Sequence, residues 1–227
     1  MIITIDGPTA SGKSTLANAI ANELKIYYIN SGYMYRGLAY VLVNYFNYTQ
    51  DKLNNPDIQD LTNILDNSKF IYLYNLNDDQ MPHIIYDGED ISSKLKTSQI
   101  DNYSSIISSS PLVRQMLIAY QRTQGDKYDL VIDGRDCGSI VFPDANFKFF
   151  LTASIEARAE RWQKVMEQKD KYFSMEESIK IISERDRRDR ERKISPLIVP
   201  DGGIIIDSTN FSQDEVLQKV LDLVTFA

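Results

Sequence analysis

Gly7-Pro-Thr-Ala-Ser-Gly-Lys-Ser14 matches the phosphate-loop pattern GxxxxGK(S/T), in which a glycine-rich turn joins a buried strand to a helix. Ile2 to Ile5 form an apolar run of β type before it, and Thr15 to Leu24 repeat apolar residues at helical spacing after it. In such a loop, successive backbone N–H groups and the positive end of the helix form a concave site for phosphate oxygens. The sequence therefore predicts a site for a di- or triphosphate here.

Three kinds of residue in this loop have separate expected tasks. Gly7 and Gly12 permit the tight backbone. Lys13 supplies a compact positive charge that can follow a transferring phosphoryl group, and the Ser14 hydroxyl is placed to ligate Mg²⁺.

The composition favours one α/β domain with insertions over two equal domains. The chain has 227 residues, 43% of them hydrophobic, which is enough to bury a substantial core. It has no apolar run of about 18 residues and begins without a signal peptide, so we expect neither a membrane span nor secretion. The single cysteine, Cys137, excludes an intramolecular disulfide. We expect a cytoplasmic protein and, since no apolar stripe stands out, a monomer.

The charge balance limits the partners. With 32 acidic and 25 basic residues the net charge is −7, which argues against binding DNA or RNA polymers. Because the whole chain repels phosphate, a phosphorylated ligand must be met by a local cluster of arginines.

A second acidic element follows a later strand. Asp129 to Asp133 form a buried strand that ends in a carboxylate, and Gly134-Arg135-Asp136 come next. The carboxyl ends of strands in an open parallel sheet line the ligand crevice, where an aspartate commonly holds Mg²⁺, here through its water shell. The alternative is an ordinary Asp-Gly turn.

An arginine-rich helix provides the cluster. Ser174 to Glu177 form a capping box that starts a helix running to about Lys193. At about 100° per residue, one narrow face carries Arg185, Arg188 and Arg192 with Asp189 beside them, whereas Arg187 and Arg190 point away. Because these positive charges repel one another on one face, their arrangement favours the binding of a multivalent anion. A solvated charged helix is the alternative.

The middle of the chain interrupts the alternation of strands and helices. Phe70–Tyr74 and His83–Tyr86 are β-type runs, and Asp87-Gly88 is a hairpin signal. We expect a small antiparallel sheet inserted between about residues 65 and 95, with His83 as an ordinary strand histidine.

The helices around this insert carry further arginines. Ser31 is expected to cap a helix that has Arg36 in its early turns, where a cation is unfavourable unless an anion or a salt bridge compensates it. Pro111 opens another helix, and Ser105 and Arg114 stand near the junction before it.

Five β-type runs separated by helices predict a parallel sheet flanked by helices. The arginines form two groups, which suggests two phosphate-bearing substrates bridged by a closing lid. Phosphoryl transfer between nucleotides fits this layout, since that chemistry needs positioning and charge neutralisation more than a covalent nucleophile.

Five motifs follow one another from the first strand towards the closing helix: Ile5 to Ser14, Asn30-Ser-Gly-Tyr-Met-Tyr-Arg36, Asp133-Gly-Arg-Asp136, Val141-Phe-Pro-Asp144 and Arg185-Asp-Arg-Arg-Asp-Arg190. In this order they resemble the motif series of bacterial cytidylate kinases. The resemblance implies the P-loop NTPase fold of nucleoside monophosphate kinases and transfer of the ATP γ-phosphoryl group to CMP or dCMP with Mg²⁺. It also implies a core of residues 1–30, 125–154 and 195–227, a monophosphate-binding region with its insert over about 31–124, and a helical lid over about 155–194.

The resemblance assigns residues to three tasks. ATP would be held by Gly7, Pro8, Thr9, Ala10, Ser11, Gly12, Lys13, Ser14 and Thr15, with Mg²⁺ on Ser14 and, through water, on Asp133. CMP would be held by Ser31, Arg36, Ser105, Arg114, Arg135, Asp136, Arg185 and Asp189. The catalytic charges would come from Lys13, Arg135, Arg158, Arg185, Arg188 and Arg192.

Three positions depart from the family pattern and leave base and sugar preference open. Asn30 stands where the family often has aspartate, Cys137 replaces an aliphatic residue or methionine, and Lys193-Ile194 replace a small residue and valine. Two other readings stay open beside this one: a related kinase acting on another nucleoside monophosphate or a shikimate-like alcohol, and a nucleotide-dependent switch that does not turn over.

Overall fold

The computed structural model describes residues 1–66, 68–75 and 81–225. Residues 67 and 76–80 of the predicted insert, and residues 226–227 at the end of the predicted core, lie outside the described residues. Contacts divide the chain into two compact units, Met1–Leu24 with Val131–Ala227 and Lys25–Leu130. The three-part division into core, monophosphate-binding region and lid stays a prediction.

Strands and helices alternate along most of the described chain. The strands are β1 (Ile2–Asp6), β2 (Tyr27–Asn30), β3 (Phe70–Tyr74), β4 (Pro82–Tyr86), β5 (Glu89–Asp90), β6 (Leu130–Gly134), β7 (Phe147–Thr152) and β8 (Ile204–Asp207). The helices are α1 (Lys13–Leu24), α2 (Ser31–Asn44), α3 (Ile58–Ile64), α4 (Ser98–Ile107), α5 (Pro111–Gly125), α6 (Ile155–Glu167), α7 (Met175–Glu191) and α8 (Gln213–Thr225).

The main sheet has five strands in the order β2-β6-β1-β7-β8. β1 pairs in parallel with β7, and β7 pairs in parallel with β8. Ile3, Ile5 and Phe149, on its inner strands β1 and β7, are completely buried, as expected where helices cover both faces of a sheet. The predicted five-stranded parallel sheet flanked by helices is confirmed.

Helix α1 begins at the lysine of the phosphate loop and packs by the stripe that its sequence predicts. Leu16, Ala17, Ile20 and Ala21 are buried, which is the spacing of one face of a helix. The phosphate loop is therefore anchored by a core strand before it and a core helix after it.

The insert is the predicted antiparallel sheet, with strand order β3-β4-β5. Asp87 and Gly88 connect β4 to β5 with φ of +49° and +83°, the pair of positive values that a two-residue mirror-image turn requires. No heavy atom lies within 4 Å of a Cβ built on Gly88, so the backbone angle, not crowding, favours glycine. His83 lies in β4 with Nδ1 2.9 Å from a carboxylate oxygen of Asp90.

The predicted cap of α2 is wrong by one residue. Asn30 is the N-cap, since its backbone is extended (φ −91°, ψ 101°) and its side chain accepts the N–H of Tyr33 at 2.8 Å. Ser31 is already the first helical residue and is buried. Among the described residues, no helix combines the length and the apolar character needed to cross a membrane.

Candidate functional site

The phosphate loop joins β1 to α1 through backbone angles that only small residues adopt easily. Gly7 has φ +152°, and a Cβ there would lie 2.0 Å from the carbonyl oxygen of Leu151, so only glycine fits against β7. Gly12 has φ +96°, and Ala10 adopts +59° despite its methyl group. Contact with β7 at Gly7 therefore restricts the conformation of the loop.

Lys13 is buried and turns back over its own loop. Its Nζ donates to the carbonyl oxygen of Pro8 at 2.5 Å. Burial holds the pKa of Lys13 well below its usual value, and the nearby positive charge of Arg135 adds to that effect, although Asp133 acts against it. The ammonium group therefore gains strongly from any phosphate charge that reaches the loop.

Ser14 and Asp133 form an oxygen-donor pair at the carboxyl end of the sheet. The Ser14 hydroxyl donates to a carboxylate oxygen of Asp133 at 2.8 Å, and Asp133 is 4% exposed at the end of β6. Oxygen donors of this kind suit Mg²⁺, which usually keeps waters and substrate phosphate oxygens among its ligands. Within residues 1–66, 68–75 and 81–225 no three His, Cys, Asp or Glu side chains cluster as a metal cage. The pair therefore fits a metal that arrives with a nucleotide.

Three charged side chains contact Thr9 inside the loop. The Thr9 N–H donates to Asp186 at 2.8 Å, and the Thr9 carbonyl oxygen accepts from Arg158 at 3.0 Å. Arg135 approaches the Thr9 hydroxyl at 3.3 Å. Helices α6 and α7 thus reach the phosphate loop through Arg158 and Asp186.

Arg135 and Asp136, the residues after β6, meet the end of α7. Arg135 donates to Asp189 at 2.7 Å, and Arg192 lies 3.6 Å from Asp136 and 3.9 Å from Asp189. Burial acts to raise the pKa of Asp189, but Arg135, Arg192 and Arg185 outweigh it and hold the pKa below its usual range. Asp189 is therefore ionised at neutral pH.

Helix α7 ends at Glu191, two residues before the predicted end at about Lys193. Arg192 caps it with a helical φ of −62° and an extended ψ of 138°, so the backbone leaves the helix only after Arg192, whose side chain still lies beside Asp189 as predicted. Its Nε donates to the carbonyl oxygen of Ser195. Arg188 is exposed, with Nε 3.4 Å from the carbonyl oxygen of Glu184, and Arg187 pairs with Glu191 as expected of an outward residue.

The remaining acceptor-site candidates lie in the second unit. Arg36 on α2 pairs with Asp101 on α4 at 2.7 Å, which is the salt bridge that its position near a helix start requires. Arg114 is 2% exposed, donates to the carbonyl oxygen of Ser108 at 2.9 Å and lies 5.6 Å from the ring centre of Tyr35. Ser31 on α2 and Ser105 on α4 complete this group.

A cavity of about 240 Å³ opens beside the phosphate loop in the first unit. Gly12 and Thr15 line one part of it, and Arg161, Ser208 and Phe211 line another. Arg161 donates to the Ser208 hydroxyl at 2.9 Å, which fixes its guanidinium at the cavity wall. The cavity is apolar enough to take a flat base next to the loop that would hold its phosphates.

Two buried carboxylates at the site, Asp6 and Asp186, have no task predicted from the sequence. Asp6 ends β1 and accepts the N–H groups of Cys137 at 2.8 Å and Gly138 at 2.7 Å. Its position at the end of a buried strand, the same signal that marked Asp133, could have identified it. Asp186 carries no such signal, because it stands inside a run of alternating charges.

Burial of Asp6 makes the stability of the folded protein depend on pH. Desolvation raises its pKa from 3.8 to about 6, although the N–H groups of Gly138 and Cys137 act to lower it, and the charge of Asp136 adds to the rise. Between these two values the folded state binds a proton that the unfolded chain does not. Asp6 therefore contributes more stability as pH falls through about 6 and loses that contribution as pH rises.

An Asp6→Asn variant should lack this contribution. We expect the free energy of unfolding of the wild type minus that of the variant to be about 1 kcal/mol larger at about pH 5.3 than at about pH 7.5. Urea unfolding of both proteins at the two pH values measures it. A difference that stays constant, or that grows towards high pH, would contradict a raised pKa.

Comparison with known proteins bears on what this site acts on. A family model described as Cytidylate kinase matches residues 3–226. The chain is 36% identical over 222 residues to a cytidylate kinase of Clostridium botulinum (strain Langeland / NCTC 10281 / Type F), covering 98% of this chain and 96% of that protein. It is 40% identical over 225 residues to a cytidylate kinase of Chlamydia felis (strain Fe/C-56), covering 99% and 98%.

A solved structure shares the fold. The crystal structure of an uncharacterized protein from Eubacterium ventriosum ATCC 27560 superposes with a TM-score of 0.51 at 12% identity, covering 99% of this chain and 98% of that one. At that identity the likeness concerns the fold alone.

Proposed function

This chain belongs to the cytidylate kinase family, and we infer that it transfers the γ-phosphoryl group of ATP to CMP and dCMP. The products are ADP and CDP or dCDP. Lys13, Ser14 and Asp133 support phosphoryl transfer most directly, because an ammonium and a pair of oxygen donors meet at one loop.

ATP is assigned to the phosphate loop, Gly7 to Thr15, with its base in the cavity beside Gly12 and Phe211. Ser14 would ligate Mg²⁺ directly and Asp133 through water. When bound, the metal supplies positive charge to the phosphate oxygens. Lys13 leaves its contact with Pro8 and takes a phosphate oxygen as its partner, which restores the charge compensation that burial denies it.

CMP is assigned to residues that combine carboxylates with arginines. Carboxylates such as Asp136 and Asp189 can accept hydrogen bonds from the exocyclic amino group of cytosine, which uracil lacks. Arginines present the planar fork that suits the monophosphate. The full proposed set is Ser31, Arg36, Ser105, Arg114, Arg135, Asp136, Arg185 and Asp189.

Catalysis in this proposal is charge neutralisation by one lysine and five arginines, without a covalent nucleophile. The members are Lys13, Arg135, Arg158, Arg185, Arg188 and Arg192. Cys137 is no rival nucleophile, because it is completely buried and burial, together with Asp6 and Asp136, raises the pKa of its thiol well above the usual value. Closure of the lid, about residues 155–194, would exclude water that otherwise hydrolyses ATP.

We place the enzyme in the cytoplasm as a monomer, where free nucleotides and Mg²⁺ are available to it. Neither DNA or RNA polymers nor a membrane belongs to the proposal, since the net charge of −7 disfavours anionic surfaces.

The decisive experiment measures ADP release with ATP and Mg²⁺ against CMP, dCMP, UMP, AMP, GMP and shikimate. We expect fast turnover with CMP and dCMP and slow turnover with UMP. Preference for AMP, GMP or shikimate would favour the related kinase instead. A folded protein that binds ATP but turns over none of the six would favour the nucleotide-dependent switch.

A further inference from the structure

Asp186 lies within the motif from Arg185 to Arg190, but neither the motif nor the phosphate loop assigns it a task. It lies on α7, is 2% exposed, and uses both carboxylate oxygens. One accepts the N–H of Thr9 at 2.8 Å, and the other accepts from the guanidinium of Arg158. A carboxylate so deeply buried is retained only where its partners compensate its charge.

Arg158 closes this contact into a ring. Its Nη1 donates to the carbonyl oxygen of Thr9 at 3.0 Å, and its Nε donates to the carbonyl oxygen of Ala153 at 3.1 Å. The peptide of Thr9 is thus held at its N–H by Asp186 and at its carbonyl by Arg158, while the two side chains hold each other. Loop, α6 and α7 are tied at one point.

The electrostatics of the loop make this arrangement unusual. N–H groups of a phosphate loop attract anions, and here a protein carboxylate takes one of them. A carboxylate beside a triphosphate is repulsive unless a cation compensates it, and Arg158 does so at direct contact. Asp186 therefore sets the direction of the Thr9 peptide and holds the Arg158 guanidinium beside the loop.

We propose that Asp186 is a positioning residue for phosphoryl transfer, which fixes the Arg158 guanidinium and the Thr9 peptide relative to the bound nucleotide. The proposal rests on the function inferred above, because it assumes that Arg158 acts on the transferring phosphate. Both carboxylate oxygens of Asp186 bind protein groups, so it acts through Thr9 and Arg158. Its effect belongs to the chemical step, since a catalytic group misplaced by about 1 Å can lower the rate about 100-fold.

Asp186→Asn tests the proposal, because the amide keeps the shape and an acceptor for the Thr9 N–H but removes the charge that holds Arg158. We expect kcat for CMP phosphorylation to fall about 100-fold, with KM for ATP and for CMP within about threefold of the wild type. Glu176→Gln is the matched control, since it removes an exposed acidic charge from the same helix. It should leave both kcat and KM unchanged.

Two further measurements separate positioning from a general loss of structure. The single tryptophan, Trp162, lies on α6 with its ring centre 4.9 Å from the ring centre of Phe173, and its fluorescence reports the packing of this region. We expect an unchanged emission spectrum for Asp186→Asn. In a double-mutant cycle, Arg158→Met combined with Asp186→Asn should reduce kcat no further than Arg158→Met alone.

Each contrary result has a distinct meaning. Unchanged kcat in Asp186→Asn, a joint rise of both KM values, or additive losses in the cycle would overturn the proposal. If Asp186→Asn does not fold, Asp186→Glu serves in its place, because it keeps the charge and should lower kcat with unchanged KM. If the wild type does not phosphorylate CMP, the proposed function itself is wrong. If the wild type phosphorylates CMP and the Asp186 variants do so at the same rate, only the positioning role is wrong.

Discussion

Lys13→Met should lower kcat for CMP phosphorylation about 10³-fold and leave the protein at least as stable as the wild type. The loss of rate follows because the ammonium is the one flexible cation of the phosphate loop. Stability is maintained because burial already disfavours the charged form of Lys13, and methionine fills a similar volume without that penalty. Steady-state kinetics and urea unfolding measure the two effects.

The control for Lys13→Met is Lys127→Met, which removes an exposed lysine. It should change neither kcat nor the midpoint of unfolding. If Lys13→Met lost activity and stability together, its charge would serve the fold, and the assignment of Lys13 to the transferring phosphate would have to be given up.

Arg188→Ala should lower turnover by about 10³-fold with folding intact, as expected for an arginine that neutralises the transferring phosphate. In this structure its side chain is exposed, and its one described hydrogen bond is the 3.4 Å approach of Nε to the carbonyl oxygen of Glu184. Removal of the side chain should therefore change the free energy of unfolding little. Coupled ADP release under saturating substrates measures the change.

Arg187→Ala is the matched control for Arg188→Ala. It deletes the neighbouring arginine, whose exposed ion pair with Glu191 at 3.0 Å contributes little to stability. We expect near-normal kcat from it. Near-normal turnover in Arg188→Ala as well would remove Arg188 from the catalytic group.

Local signals in the sequence were sufficient where one short segment determines its own structure. The phosphate loop requires glycine at Gly7 because of its φ of +152°, and the motif pattern encodes that requirement. Asp87-Gly88 likewise specifies its turn by the two positive φ values. Both were predicted correctly without knowledge of any distant contact.

The errors arose at ends of elements, where neighbouring residues compete. Asn30 and Ser31 are both good caps, and the choice falls on Asn30 because it still has the extended backbone of β2. At the other end of a helix, α7 stops at Glu191 and not at about Lys193, because the backbone becomes extended after Arg192 and no local residue marks that point.

The missed residues depend on contacts far along the chain. Asp6 is explained only by the N–H groups of Cys137 and Gly138, more than 130 residues later. Asp186 is explained only by Thr9, 177 residues earlier, and by Arg158. A single sequence contains no periodicity that joins such positions, so these parts of the site required the three-dimensional structure.

The burial of Cys137 makes this protein convenient for thiol-directed labelling. The only thiol of the chain is completely buried and its pKa is raised, so maleimide dyes should leave the native protein unmodified. Cysteines introduced at exposed positions such as Ile58 and Tyr172 would then react alone. Fluorescence energy transfer between such a pair could follow, molecule by molecule, how the enzyme moves during turnover.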